Sequence, residues 1–186
     1  MLKQSIRDYL KKQTKMRLGA SICMQIRIDS KQVIALLRRD NFDEAKKLLL
    51  ATQDKFKEVN VLAKEEKRVL EENFYQEGVE EFVEAFTLFN YLQKPVKKIP
   101  KYIQVTPEQM IGGICDFTGE LVRKAVNAAG KGDIKILEKY HREIEGIAEE
   151  LTKIGFKGKL RQKYDEVERN YRRMEQILYD VRLKRS

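Results

Sequence analysis

Two pairs of carboxylates stand at helical spacing in this sequence. Glu81 and Glu84 are three residues apart in VEEFVEAF, and Asp116 and Glu120 are four apart in GGICDFTGELVR. Residues at these separations share one side of a helix. At about 100° per residue, Glu81 and Glu84 point opposite the stripe Val79, Phe82, Val83 and Phe86. Asp116 and Glu120 point away from Ile111, Cys115, Val122 and Ala125 in the same way. Four carboxylates on two facing helices can hold one or two Mg²⁺ or Mn²⁺ ions, hard cations that need oxygen ligands and neither His nor Cys. The same spacing also fits two ordinary solvated faces. Gly112 and Gly113 lie near the polar side of the second pair, where a missing side chain lets a helix or a phosphate approach.

A basic row accompanies the acids. Arg27, Lys31 and Arg38 fall within about 40° of one another, opposite Ile22, Ile26 and Val33. Such a row can track phosphates, and it can equally be a solvated surface. Other chemistries find little support. His141 is the only histidine and sits in EKYHREIE without a second histidine or a nucleophile in an activating motif, so it reads as an ordinary surface residue. GKGD and GFKGK lack the flanking strand and spacing of phosphate-binding loops. Most Tyr and Phe fall on apolar stripes and read as core, with Tyr102 in a lysine-rich connection as the exception.

The elements that must position these residues are helices. Only three prolines and ten glycines occur in 186 residues, too few turn-formers for a sheet protein of this size. Ile22, Ile26, Val33 and Leu36 recur at a helical period up to RRDNFDEA, where Asp40 or Asn41 is placed to cap a second helix over 42–59. A third helix contains Val79 to Phe89 and stops in QKPVKKIPKYIQV. Thr106 and Pro107 start a fourth, GKGD at 130–133 separates it from a fifth, and a break near Gly155 and Gly158 precedes a long last helix. The last helix has the stripe Leu160, Tyr164, Val167, Tyr171, Met174, Leu178 and Val181. The expectation is one all-α domain over 1–186.

Charge and cysteine content bound the setting. There are 38 Lys and Arg against 29 Asp and Glu, a net charge of +9 that favours an anionic partner. The excess is uneven: residues 1–39 hold ten bases and two acids, whereas 40–93 hold seven bases and thirteen acids. Cys23 and Cys115 form no CxxC pair, which argues against a disulfide framework or structural zinc and for a reducing, cytoplasmic location. No apolar run approaches the roughly 20 residues of a membrane span, so no membrane partner is expected.

In this order and spacing, IDSKQVIALLRRDNFDEA, QEGVEEFVEAFTLFNYL, TPEQMIGGICDFTGELVRKAVNAAGKGD and GKLRQKYDEVERNYRRMEQILYDVRL resemble the translin superfamily, which comprises translin and its nuclease partner, translin-associated factor X. FVEA and GxxDxTGELxR are the most specific pieces. The resemblance implies an elongated antiparallel bundle of six or seven helices that assembles into a hollow homo-octamer enclosing RNA, either single-stranded or duplex with single-stranded regions; single-stranded DNA is a further candidate. Retention of the acids implies the nuclease-type subunit. Carried over by residue, Glu81, Glu84 and Asp116 are catalytic, and with Glu120 they ligate Mg²⁺ or Mn²⁺. Lys31 of the Ser30-Lys31 pair contacts phosphate with Arg27 and Arg38. Glu80 stands where the family often has Gln. The expected function is therefore a Mg²⁺-dependent endoribonuclease. The alternatives are a non-catalytic single-stranded RNA- or DNA-binding scaffold and a purely structural helical protein.

Overall fold

The computed structural model describes residues 1–93 and 98–184, and all regular structure within them is helical. The helices are α1 (Leu2–Arg38), α2 (Phe42–Glu65), α3 (Asn73–Gln93), α4 (Pro107–Gly130), α5 (Ile134–Thr152) and α6 (Gly158–Leu183), with a 3₁₀ helix at Lys67–Leu70. The chain divides into two compact units, Met1–Gln109 and Met110–Ser186, and the continuous helix α4 runs through the division. The expected lysine-rich connection after α3 falls in part on residues 94–97, outside the described residues.

The helix ends follow local chemistry. α1 closes in a left-handed turn at Asp40 (φ 59°), where the Asn41 amide donates to the Leu36 carbonyl at 3.0 Å and the Asp40 amide to Leu37 at 3.2 Å. Asn41 occupies the N-cap position of α2, but its amide group donates to Glu44 and caps no backbone amide through its side chain. α4 opens in a reciprocal cap: the Thr106 amide donates to Gln109 Oε1 at 2.8 Å and the Gln109 amide to Thr106 Oγ1 at 3.3 Å. GKGD performs both expected tasks. Gly132 adopts φ 68° to end α4, and Asp133 accepts from the Ile136 amide at 3.1 Å to start α5.

In the first unit α1 lies between α2 and α3. It runs antiparallel to α2, with Lys12 beside Glu66 and Asp29 beside Lys55, and parallel to α3, with Gly19 against Phe74 and Cys23 against Gly78. The α1–α3 approach is close because Gly78 has no side chain: a Cβ there would lie 3.3 Å from the Cys23 carbonyl oxygen. Cys23, Ile26, Val33 and Leu37 meet Phe56, Val59, Val79 and Phe82 in a closed core. Phe56 packs edge-on to Phe82 at 5.1 Å and to Tyr75 at 6.3 Å. Burial pushes both the Cys23 thiol and the Tyr75 phenol up to about 12. Both cysteines are free and buried.

In the second unit α5 and α6 form an antiparallel hairpin, with Glu138 beside Arg182 at 2.9 Å, Glu145 beside Tyr171 at 3.2 Å and Leu151 in one cluster with Tyr164. Cys115 of α4 joins Leu151, Tyr164 and Val167 in that cluster. The α4–α6 contact is close at Gly119, whose Cβ would meet Asn170 at 3.6 Å, and there Asn170 Nδ2 donates to Thr118 Oγ1 at 2.9 Å. The long α6 stripe is largely consumed here, since Tyr164, Val167, Met174 and Leu178 are buried. No described helix is long and apolar enough to cross a membrane.

One buried charge ties α1 to α2. Asp29 is 4% exposed, accepts from Gln25 Nε2 at 2.7 Å, and has Lys55 Nζ at 3.0 Å from its other oxygen, outside hydrogen-bond alignment. Removing the ammonium leaves a buried carboxylate with one neutral donor. Lys55→Ala is expected to cost about 2 to 3 kcal/mol, read as a lower urea midpoint at unchanged slope.

Candidate functional site

The acid-bearing face of α3 is wider than one pair. Glu77, Glu80, Glu81 and Glu84 recur at 0, 3, 4 and 7 residues, so all four fall on one side of the helix. That side is not a simple solvated face. Glu80 and Glu84 are each 8% exposed, the Glu81 side chain 21%, and only Glu77 is well exposed. Because Val79, Phe82, Val83 and Phe86 are buried on the other side, α3 is covered nearly all round.

The basic row of α1 meets this face directly, because the close approach at Gly78 sets the two helices in parallel register. Arg27 Nη1 donates to Glu77 Oε2 at 2.7 Å, and its Nε lies 3.6 Å from Glu81 Oε1. Lys31 Nζ sits 3.2 Å from the same Glu81 oxygen. Two cations therefore share one carboxylate oxygen. Ser30 is fully buried, whereas the Lys31 side chain keeps 55% of its surface, so the Ser-Lys pair turns its cation outward. Arg38, the third member of the row, lies half-buried in the last turn of α1, seven residues beyond Lys31.

On α4, Glu120 is 5% exposed and pairs with Arg123 at 3.2 Å, while Asp116 is half-buried and paired with Lys163 of α6. Gly112, Gly113, Phe117 and Leu121 are buried as well, so this helix too has little solvated surface along its acid-bearing stretch. Ion-paired ammonium and guanidinium groups stand at Glu81, Asp116 and Glu120. Among the described residues no group of three or more acidic, histidine or cysteine side chains is gathered closely enough to hold a metal ion. The donor chemistry, all carboxylate, suits Mg²⁺ or Mn²⁺.

Sequence reasoning missed Glu77 and Lys163. Glu77 had a readable signal, two turns before Glu84 on the same face. Lys163 is 47 residues from Asp116 and had none. His141, expected at the surface, is instead half-buried: its side chain is 20% exposed and packs on the Tyr171 ring at 5.3 Å with Glu145 at 3.8 Å. Tyr102 packs at α2, with its carbonyl accepting from Asn60 at 2.7 Å and Lys57 Nζ 5.4 Å from its ring centre.

Residues 17–185 match the Translin family. The chain belongs to this family. Among solved translin-type structures, that of AfC3PO is similar over 100% of this chain and 99% of its own, with a TM-score of 0.86 and 23% identity. That of apo-NeC3PO covers 97% and 96% with a TM-score of 0.84 and 23% identity, and that of an AfC3PO–duplex RNA complex covers 100% and 98% at 0.83 and 23%. At this identity the likeness establishes a shared helical fold. No curated protein matches.

The half-exposed ion pairs of this translin-family site are each worth about 0 to 1 kcal/mol and exchange readily. Glu81→Gln removes the charge that holds Lys31 and Arg27. The variant is expected to bind a polyanion several-fold more tightly at low salt, read as later elution from heparin, with Arg27→Ala plus Lys31→Ala eluting earlier than the wild type.

Proposed function

We propose that the chain is a Mg²⁺-dependent endoribonuclease of the type of translin-associated factor X, acting on RNA within a hollow homo-octamer. The observation that supports this most strongly is the juxtaposition of Arg27 and Lys31 with Glu77 and Glu81, at 2.7 to 3.6 Å. A phosphate needs cations, a hydrolytic metal needs carboxylates, and here both kinds of group are adjacent. The complex of AfC3PO with duplex RNA, a protein of the same fold, supports RNA as the ligand class.

In this reading the carboxylates offered to Mg²⁺, with Mn²⁺ as substitute, would be Glu81 and Glu84 of α3 and Asp116 and Glu120 of α4, ionised and not acting as a general acid and base. When bound, Mg²⁺ would supply an activated water and neutralise charge developing at the phosphate. Lys31 and Arg27 leave Glu81 for the phosphate oxygens, orienting the scissile group and stabilising its added negative charge. Arg38 extends the same cationic row along the strand. Water attacks phosphorus, the P–O bond to the leaving nucleotide breaks, and the proton that the water loses ends on the departing oxygen through solvent.

RNA cleavage is expected with Mg²⁺ and is expected to disappear both with EDTA and in Glu84→Ala. Binding that persists in all three, with cleavage in none, supports the non-catalytic RNA- or DNA-binding scaffold instead. Equal cleavage in all three points to a contaminating nuclease and removes the mechanism. For binding, sequence selectivity is expected to be weak and salt dependence strong, because the contacts are to phosphates. Arg27→Ala plus Lys31→Ala is expected to flatten the plot of log affinity against log salt by about 0.7 for each phosphate of a single strand that is no longer neutralised. An unchanged slope places the RNA elsewhere.

A further inference from the structure

The start of α1 is a helix without a packing partner. Every residue from Met1 to Lys11 is exposed, and the contacts of Gln4 and Ser5 are to Asp8 and Met1 within the same segment. Yet the segment is amphipathic. Leu2, Ile6, Tyr9 and Leu10 fall within about 100° of one another on the wheel, and they remain 74%, 49%, 61% and 56% exposed. Lys3, Arg7 and Lys11, each four residues apart, form a cationic row along one edge of that apolar face. From Lys12 onward the helix is tied down, first by the Lys12–Glu66 and Lys15–Glu65 pairs.

The α5–α6 hairpin presents a surface of opposite character. A groove of about 390 Å³ runs between the two helices, with Tyr164 and Tyr171 flanking it. Its lining holds Glu145, Glu149, Glu168 and Glu175 together with Arg172, and Arg161 lies over the Tyr164 ring at 5.3 Å. The tyrosine hydroxyls donate to Glu168 at 2.9 Å and Glu145 at 3.2 Å, and burial followed by the nearby glutamates raises the Tyr171 phenol to about 12. Such a surface repels RNA. It attracts a basic helix.

We propose that residues 2–11 of α1 dock in the α5–α6 groove of a second copy of this chain. The lengths agree: ten helical residues span about 15 Å, and the groove follows α6 from Tyr164 to Glu175, a rise of about 17 Å. The charges agree as well, with Lys3, Arg7 and Lys11 set against the glutamate rim while Leu2, Ile6, Tyr9 and Leu10 turn to the tyrosines. RNA accounts for the cations but not for four exposed apolar side chains on the same segment. The inference rests on the self-association in the proposed function, and not on its nuclease chemistry.

The test is the solution mass of the full chain by sedimentation velocity at micromolar concentration, with helicity by circular dichroism as a folding check. Ile6→Asp plus Leu10→Asp is expected to weaken association on the order of a hundredfold. Glu149→Lys plus Glu175→Lys is expected to lower the mass too, as is Lys3→Glu plus Arg7→Glu plus Lys11→Glu. Combining the two charge reversals in one chain is expected to restore the wild-type mass. Failure of the combined variant to recover association overturns the pairing, whether or not the single sets fold well. Unchanged mass in all sets overturns the contact while leaving self-association standing. If the mass holds but RNA retention or binding to anionic vesicles is lost, the segment is an RNA or lipid arm and the proposal fails. A wild-type monomer removes self-association and this contact together.

Discussion

The close parallel packing of α1 on α3 is the constraint from which the candidate site follows. It depends on Gly78, where a side chain would press against the Cys23 carbonyl at 3.3 Å. With the axes this near, residues four apart on α1 face residues four apart on α3, and Arg27 and Lys31 arrive at Glu77 and Glu81. The aromatic core of Phe56, Phe82 and Tyr75 and the buried Asp29–Lys55 pair hold α2 on the same helix. The geometry of the site is thus a by-product of how the apolar residues pack.

The acids differ in what surrounds them, and that difference separates two uses of charge. Glu81 and Glu77 are in partly exposed pairs with Arg27 and Lys31, each worth little in water. Glu84 and Glu120 are almost fully buried, and a carboxylate in such a place costs several kcal/mol unless it is compensated. Glu120 has such a partner in Arg123 at 3.2 Å.

The second unit shows how a long apolar stripe can mislead when read alone. The α6 stripe extends over about six turns, yet Tyr164, Val167, Met174 and Leu178 are buried within the unit. One groove between α5 and α6 is lined by four glutamates, Glu145, Glu149, Glu168 and Glu175. A run of exposed apolar residues on one helical face stands at the other end of the chain, with Leu2, Ile6, Tyr9 and Leu10 on the first turns of α1. Burial inside a unit and exposure at its surface are thereby divided between helices of similar hydrophobic pattern.

Read alone, the sequence determined the helical class, the break at GKGD, the cap at Thr106 and the helical spacing of the two acidic pairs, because each depends on residues within a few positions of one another; the cap expected at Asp40 or Asn41 is instead a left-handed turn at Asp40 with no side-chain cap on α2. It did not show that α1 begins at Leu2, since the first turns lack an apolar face turned to their own core. Nor did it show that Glu84 and Glu120 are buried, because a helical wheel ranks the faces of one helix without knowing how many neighbours it has. Lys163 beside Asp116, and Arg27 bridging Glu77 and Glu81, join residues 47 to 54 positions apart. Only the packed tertiary structure fixes such partners, because it is the close approach of helix axes, set by side-chain volume at points such as Gly78, that decides which charges meet.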